Sequence, residues 1–297
     1  MSREVVTKTA CPGFVRIKKG MKRLHISAIS YLNTAPLMWD FEHGEAGSEF
    51  EISYTLPSGC ARDLQAGAAD IGIIPAAAYT QIPGLRVLPG VAIASCRAVR
   101  SILLVSKVPI EEIRTVALDD SSMTSVALTK VLFEKWLGGA KAYASMSPNI
   151  EQMLTAYNAA LLIGDPALQV DRSRYFTLDL AEEWIRCTGK PFVFAFWAVR
   201  AEAASEAACQ DLAGLFQHSR DHGLAPASLD QICREWAPRI GITEASVRSY
   251  LTENIQYRLD PACLEGLQLF YRYAAEIGAL PSVSAIDFLN SPNPCVA

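Results

Sequence analysis

Residues 24–37, LHISAISYLNTAPL, place a short strand directly before a turn and a helix. The run His25 to Ser30 has the length and the spaced isoleucines of a strand, and Pro36 suits the first turn of a helix. From this segment to Arg200, short strands continue to alternate with helical stretches. That alternation predicts an α/β protein in which helices cover mostly parallel sheets.

Ten strands and four helices follow from hydrophobic runs and helical spacing between turn residues. The predicted strands are His25 to Ser30, Phe50 to Thr55, Ile71 to Pro75, Val87 to Ala94, Ile102 to Ser106, Thr115 to Leu118, Ala142 to Ser145, Ala160 to Ile163, Tyr175 to Leu178 and Val193 to Val199. The predicted helices are Pro36 to Glu42, Gly59 to Ala66, Thr124 to Leu137 and Ile150 to Tyr157. After Arg200 only helical spacing continues, which predicts a C-terminal helical block.

This order of elements predicts two α/β lobes with a ligand cleft between them. We assign residues 21–99 and 200–297, with the helical block, to lobe 1, and residues 100–199 to lobe 2. The chain then crosses between the lobes twice, near residues 100 and 200. Residues 1–20 lack an apolar stretch of the kind found in secretory signals. We therefore expect them to form an N-terminal extension.

Charge and composition exclude several classes of partner. The 297 residues include 27 Lys and Arg against 31 Asp and Glu, a formal net charge of −4. Nucleic acid and anionic membranes are therefore not expected partners. The longest apolar runs, such as Phe192 to Val199, fall short of the about 20 residues that span a bilayer. The eight cysteines form no CxxC pair, so we interpret them as free thiols of a cytoplasmic protein.

Two strand ends carry polar turns that suit ligand binding. Open α/β folds bind ligands at the carboxyl ends of their strands, where Tyr31 and Asn33 follow the first strand and Ser58 and Gly59 follow the second. The alternative interpretation is that Asn33 or Thr34, and likewise Ser58, simply cap the helices that follow. The residues alone favour capping.

The run of residues 119–125, DDSSMTS, indicates an anion site at a helix start. A helix N-terminus usually carries an acid in its first turn, where the acid meets the positive end of the dipole. No acid stands in the first turn here, so backbone amides and hydroxyl groups remain available for a carboxylate or phosphate. The hydroxyl groups belong to Ser121, Ser122, Thr124 and Ser125. Alternatively, Asp119 and Asp120 fold back as caps.

Two further candidate sites lie at Arg100-Ser101 and Gly164-Asp165. Arg100 stands near the first crossing, and arginine binds carboxylates through two parallel hydrogen bonds. The alternative is an exposed arginine beside an apolar strand. Asp165 is predicted to cap a helix that has Pro166 in its first turn, with the role of a catalytic base as the alternative.

The sequence lacks the motifs of several common enzyme classes. It contains no GxGxxG, Walker A, GxSxG or HExxH motif. The four histidines show no triad or metal-ligand spacing, and His218 and His222, although one helical turn apart, have no glutamate beside them. We therefore expect both of these side chains to be solvated, and we expect no metal site.

Taken together, these segments resemble the chorismate dehydratases of the futalosine route to menaquinone. The resemblance covers residues 24 to about 275, in order and with compatible spacing. Its segments are Ile29 to Leu37, Leu56 to Gly59, Asp70 to Pro75, Val87 to Gly90, Arg100 to Leu104, Val116 to Asp119, Ser121 to Ser125, Ala160 to Asp165, Glu183-Trp184, Thr188-Gly189 and Pro191 to Ala195. It implies a two-lobed, periplasmic-binding-protein-like fold of type II.

The resemblance also implies a reaction and a set of site residues. The reaction is conversion of chorismate to 3-[(1-carboxyvinyl)oxy]benzoate and water by a lyase that uses no metal or organic cofactor. We expect Asn33 to position the substrate, whose own side-chain carboxylate takes the proton, with Asp165 as the less favoured base. The expected substrate-binding residues are Tyr31, Ser58, Gly59, Arg100, Ser101, Ser121, Ser122, Thr124, Ser125 and Gly164.

Other assignments stay open at this level. A non-catalytic solute-binding protein for a small carboxylate would share the fold, and so would the sister dihydroxynaphthoate synthase of the same pathway. That sister enzyme typically opens with a different turn, containing proline and cysteine, which is absent here. The expected partner is the small dicarboxylate substrate, and association into a homodimer is left open.

Overall fold

The computed structural model describes residues 23–206, 211–283 and 285–289. The predicted extension of residues 1–20 lies outside these ranges. The described strands are β1 (Leu24–Ile29), β2 (Phe50–Thr55), β3 (Ile71–Pro75), β4 (Leu85–Ser95), β5 (Ile102–Ser106), β6 (Thr115–Asp119), β7 (Ala142–Met146), β8 (Ala159–Ile163), β9 (Phe176–Asp179) and β10 (Phe192–Arg200). All ten strands expected from the sequence are confirmed, with ends shifted by a few residues at most.

Helices connect most of these strands and cover the two sheets. The described α-helices are α1 (Trp39–His43), α2 (Pro57–Ala66), α3 (Ala76–Tyr79), α4 (Thr124–Lys135), α5 (Ile150–Ala156), α6 (Gly164–Leu168), α7 (Leu180–Thr188), α8 (Ala201–Glu206), α9 (Leu212–Gly223), α10 (Pro226–Ile240), α11 (Glu244–Ser249) and α12 (Pro261–Glu276). Shorter 3₁₀ turns span Leu32–Met38, Ala46–Glu49 and Ile110–Glu112, and a π-helical turn spans Tyr250–Asn254. In the described part of the chain, no helix combines the length and the apolar character needed to cross a membrane.

The strands form two five-stranded sheets with the same plan. The first has the order β2-β1-β3-β10-β4 and the second β7-β6-β8-β5-β9. In each sheet four strands run in the same direction, and the strand in fourth place is antiparallel to both of its neighbours. That fourth strand, β10 or β5, is the first one after the chain has crossed from the other sheet. Each lobe is therefore completed by a strand that follows a crossing.

One predicted domain boundary is wrong. The sequence analysis assigned residues 100–199 to lobe 2, but β10 (Phe192–Arg200) pairs with β3 and β4 in the first sheet. The second crossing is therefore the short segment of residues 189–191, before β10 rather than after it. The error arises because β10 is antiparallel and inserted by long-range pairing, which its own apolar pattern does not reveal.

The helical block after β10 packs on the first lobe, where Phe216 of α9 contacts the ring of Trp197 of β10. Asp260 caps α12 through a hydrogen bond from the Cys263 amide to its carboxylate, at 2.8 Å, and Pro261 occupies the first turn. Phe216 of α9 and Phe270 of α12 are fully buried. All cysteines in the described ranges are free: Cys60, Cys96, Cys187, Cys233 and Cys263.

Candidate functional site

A cavity lies where the two sheets face each other. It is bounded by the carboxyl ends of β1, β2 and β3 from the first lobe and of β6 and β8 from the second. This is the edge at which open α/β sheets bind ligands. Its lining residues are Ile29, Tyr31, Asn33, Pro57, Pro75, Ile93, Ile102, Ser122, Thr124, Ser125, Ile163, Gly164, Phe194 and Ala195.

The walls of this cavity are mostly apolar, with polar side chains confined to two turns. Tyr31 and Asn33 come from the first lobe, while Ser122, Thr124 and Ser125 come from the second. None of the lining residues carries a positive charge. An anionic ligand would therefore depend on hydroxyl groups and on backbone amides rather than on an ion pair.

Two helices begin beside the cavity without an acidic residue in their first turn. Helix α2 begins at the lining residue Pro57, and α4 begins at Thr124. Neither helix has a side-chain hydrogen bond at its N-cap position. Of the two, only α4 offers its positive dipole end to an anion, because in α2 Pro57 has no amide hydrogen and the Ser58 and Gly59 amides already donate to the Ser121 and Leu56 carbonyls.

Asn33 lies in the 3₁₀ turn Leu32–Met38 and is 8% exposed. Its backbone carbonyl accepts a hydrogen bond from the Tyr257 hydroxyl at 3.0 Å. Tyr31 occupies the N-cap position of this turn without a side-chain bond. The interpretation of Asn33 or Thr34 as the cap is therefore wrong, and the Asn33 amide lines the cavity instead.

Tyr31 and Gly164 meet across the interface between the lobes. Gly164 has a φ of +64°, and a Cβ atom there would lie 2.5 Å from two carbons of the Tyr31 ring. Only glycine allows the ring to approach this closely. Burial raises the pKa of Tyr31 to about 12, although a hydrogen bond with Ser121 partly offsets the rise. The phenol therefore stays protonated at neutral pH.

Ser121 and Asp119 form a buried pair behind Tyr31. Asp119 Oδ1 accepts hydrogen bonds from the Ser121 hydroxyl at 2.6 Å and from the Ser121 amide at 2.9 Å. Burial raises the pKa of Asp119, and its other carboxylate oxygen has no hydrogen-bond partner among the described residues. Asp120 instead accepts a bond from the Ser147 hydroxyl. Neither aspartate caps α4, so that alternative is wrong.

The serine and threonine side chains at the start of α4 have different roles. The Thr124 hydroxyl accepts a bond from the Ala77 amide and donates one to the Phe194 carbonyl, both at 3.0 Å. Thr124 therefore joins the second lobe to the first. Ser122 Oγ accepts the Ser125 amide at 3.3 Å. Both serines line the cavity, where their hydroxyl groups can contact a ligand.

Ser58 and Gly59 lie beside the cavity without lining it. Leu56, not Ser58, occupies the N-cap position of α2, so the prediction of a Ser58 cap is wrong. The Ser58 amide instead donates to the Ser121 carbonyl at 3.0 Å. Gly59 packs so closely on Thr55 that a Cβ atom would overlap the Thr55 side chain. Ser58 thus contributes to the contact between the lobes, whereas Gly59 packs within the first lobe.

Arg100 and Ser101 lie at the first crossing and outside the set of residues that line the cavity. Arg100 has a φ of +66°, the only non-glycine residue with a positive φ in the described ranges. Its amide donates to Asp179 Oδ2 at 2.6 Å. The Ser101 hydroxyl accepts from the buried Tyr250 hydroxyl at 2.8 Å. These contacts fix the path of the crossing.

Asp165 is predicted to cap its helix, and the structure shows a different role. Ile163 occupies the N-cap position of α6, and Asp165 Oδ1 accepts the Leu32 amide of the other lobe at 3.0 Å. Burial raises the pKa of Asp165 to about 6, against the lowering effects of the Leu32 hydrogen bond and of Arg239. Asp165 thus holds the turn that carries Asn33 without lining the cavity itself.

The raised pKa of Asp165 predicts how the folding stability of the protein depends on pH. Because the folded-state pKa of about 6 exceeds the ordinary value of 3.8, the charged carboxylate disfavours folding. The wild type should lose stability as pH rises from about 4 to about 6 and stay level above that. Asp165→Asn keeps an acceptor for Leu32 and should be more stable by about 1–3 kcal/mol at pH 8.

Chemical unfolding of both proteins at pH 8 and near pH 4 measures this difference. The gap should largely close at the lower pH, where the carboxyl is neutral in the folded state and only about half ionised in the unfolded state. A wild type that is as stable as the variant at pH 8 would contradict the raised pKa.

Sequence reasoning missed most of the cavity wall. The apolar lining residues are Ile29, Pro57, Pro75, Ile93, Ile102, Ile163, Phe194 and Ala195. Their side chains resemble core residues in the sequence. Their position in the sequence could have indicated some of them, because Ile29, Pro75 and Ile163 are each the last residue of a parallel strand.

The comparisons with known proteins agree with this architecture. A family model described as menaquinone biosynthesis matches residues 24–276. The chorismate dehydratase of Thermus thermophilus is 28% identical over 258 residues, which cover 81% of this chain and 91% of that protein.

Solved structures share the fold at low sequence identity. Protein AF1704 from Archaeoglobus fulgidus has a TM-score of 0.69 at 16% identity, covering 86% of this chain and 98% of its own. The periplasmic aliphatic sulphonate binding protein SsuA from Escherichia coli has a TM-score of 0.60 at 16% identity, covering 87% of this chain and 94% of its own. The predicted periplasmic-binding-protein-like fold of two α/β lobes is therefore confirmed.

Proposed function

Because the chain belongs to the menaquinone biosynthesis family, we propose that it is a chorismate dehydratase. In this proposal it acts as a lyase of the futalosine route, converting chorismate to 3-[(1-carboxyvinyl)oxy]benzoate and water. The observation that carries the proposal is the cavity between the lobes, whose polar residues fall in segments that resemble the family. The relative named chorismate dehydratase supports the choice of substrate.

The cavity matches the chemical character of this substrate. Chorismate has a six-membered carbon ring and two carboxylates, so it needs both apolar walls and anion-binding groups. Ile29, Ile163 and Phe194 provide apolar surface. The first turn of α4, with the Ser122 and Ser125 hydroxyl groups, receives one carboxylate, and the Asn33 side chain contacts the other. Arg100 is not needed for this arrangement.

The reaction requires orientation more than strong acid or base groups. Loss of the proton from ring C3 and of the hydroxyl from C4 gives an aromatic ring, and aromatisation strongly favours the product. The side-chain carboxylate of the bound substrate accepts the C3 proton. The C4–O bond breaks, and the departing hydroxide takes up that proton and leaves as water. Asn33 holds the substrate in the reactive geometry.

Asp165 is a positioning residue in this mechanism. Its carboxylate is bonded to the Leu32 amide and does not line the cavity. Asp165→Asn preserves that hydrogen bond, so we expect turnover within about tenfold of wild type. Steady-state rates and chorismate binding measured on both proteins test this expectation. A variant that binds chorismate normally but has lost turnover would identify Asp165 as the base.

A multiple-turnover assay separates an enzyme from a binding protein. The purified chain is incubated with about a hundredfold excess of chorismate, and substrate and product are followed by NMR. We expect most of the chorismate to become the aromatic enol ether. Binding of one equivalent without conversion would indicate a solute-binding protein instead. Absence of both binding and conversion would contradict the choice of chorismate.

A further inference from the structure

Three of the four histidines of the chain gather around helix α1, on a different part of the first lobe from the cavity lining. His218 and His222 lie one turn apart on α9, and His43 ends α1. Asp40 of α1 lies against the α9 pair. His218 and His222 are predicted to be solvated because no glutamate stands beside them in the sequence. The fold instead brings the Asp40 carboxylate to His218 from 178 residues away.

The ligating atoms of Asp40, His218 and His222 form a compact cluster. Asp40 Oδ1 lies 2.5 Å from His222 Nδ1, and Asp40 Oδ2 lies 3.7 Å from His218 Nε2. One ligand atom from each residue falls within a group no more than 4.8 Å across. Tetrahedral zinc with bonds of about 2.0–2.1 Å separates its ligands by roughly 3.4 Å. Small rotations of the two half-exposed imidazoles would therefore bring the three ligand atoms to the distances that a bound zinc ion requires.

Asp40 carries the second observation that points to a ligand. The residue is only 8% exposed. Its Oδ2 atom is buried and has no hydrogen-bond partner among the described residues. A buried carboxylate oxygen without a partner is unfavourable, and coordination of a cation is one way to satisfy it. The Oδ2 atom faces His218, the side chain that completes the cluster.

Hydrogen bonds and ring contacts fix the position of α1 relative to α9. Ser219 of α9 accepts a hydrogen bond from the Asp40 amide at 3.0 Å and donates one to the Leu37 carbonyl at 2.9 Å. Trp39 stacks on His43, with ring centroids 4.0 Å apart, and meets His222 edge-on. The carboxylate and the α9 pair are thus positioned by the packing of the protein itself.

We propose that Asp40, His218 and His222 bind a divalent transition-metal ion of the zinc class, with water completing the coordination. Two imidazoles and one carboxylate suit zinc and its neighbours, whereas magnesium and calcium prefer oxygen ligands throughout. The ion would link α9 to the segment that leads from the 3₁₀ turn of Asn33 into α1. This proposal is independent of the proposed enzymatic function.

Calorimetric titration of the full chain with Zn²⁺ at about pH 8, where an unperturbed imidazole is neutral, tests the site. All proteins carry Cys96→Ser, which removes an exposed thiol. We expect one ion per chain, with affinity lowered at least about tenfold by His218→Ala and by His222→Ala. His43→Ala is the matched control, because it removes a neighbouring histidine outside the cluster, and it should bind like the parent.

Co²⁺ provides an independent readout of the coordination. Its visible absorption should show a low-symmetry site with nitrogen ligands in the parent protein and should lose those bands in the His218→Ala/His222→Ala double variant. Far-UV circular dichroism checks that the double variant is folded. The proposal is overturned if the parent binds Zn²⁺ no more tightly than the double variant, or if His43→Ala weakens binding as much as His218→Ala does.

Discussion

Asn33→Ala is expected to lower the turnover of chorismate by about 10²–10³-fold while leaving the protein folded. The side-chain amide lines the cavity, and loss of a group that orients a reacting substrate typically has an effect of this size. The structural cost should be limited, because the hydrogen bond from Tyr257 is made to the backbone carbonyl of Asn33, which the variant keeps. The variant loses only the side-chain contacts of Asn33 with the Thr34 and Tyr250 hydroxyl groups. Steady-state kinetics and chemical unfolding measure the two effects separately.

The adjacent Thr34 offers a matched control for this variant. Thr34 is buried in the same 3₁₀ turn but does not line the cavity. Thr34→Ser keeps the hydroxyl group that donates to Asn33 Oδ1 and should retain turnover within about tenfold. Asn33→Asp keeps the size of the side chain but adds a negative charge opposite a dianionic substrate, so we expect it to be as inactive as Asn33→Ala. An active Asn33→Ala protein would remove Asn33 from the mechanism.

Gly164→Ala is expected to lower kcat/KM by at least about a hundredfold. A methyl group at this position would lie 2.5 Å from the Tyr31 ring. Neither the buried ring nor the backbone at residue 164 can shift easily to relieve this overlap. The lobes must then separate or the ring must leave its place, and either change distorts the cavity. The positive φ adds roughly 1 kcal/mol of backbone strain.

Gly241→Ala isolates the backbone contribution to this effect. Gly241 follows α10 with a φ of +71°, and a Cβ atom there would meet nothing within 4 Å. Both variants should lose a similar amount of stability from backbone strain, but only Gly164→Ala should lose activity. Equal activities of the two variants in the chorismate assay would show that the contact between Tyr31 and Gly164 does not matter for catalysis.

The fold could be predicted from the sequence because its strands are defined by local patterns. Each parallel strand is a short apolar run closed by turn residues, and helical spacing marks the block after β10 (Phe192–Arg200). Pairing between strands is not local. The antiparallel insertion of β10 into the first sheet is set by contacts with β3 and β4, so the lobe boundary at residue 199 was misplaced.

The candidate site was predictable only in part, for the same physical reason. Asn33, Ser122 and Ser125 follow strand ends, and that position is visible in the sequence. Asp165 shows the limit, because its local Asp-Pro pattern predicts a cap while its carboxylate bonds to the Leu32 amide from 133 residues away. Arg100 is predicted from its charge to bind a carboxylate, yet it lies outside the set of residues that line the cavity, where the first turn of α4 is found instead.

The most direct test of the account is a crystal structure of Asn33→Ala with chorismate. This variant should bind the substrate but turn it over too slowly to consume it. We predict that the ring lies against Ile163 and Phe194 and that one carboxylate contacts the first turn of α4. Chorismate bound outside the cavity between the lobes, in a crystal whose wild-type counterpart is active, would contradict the account.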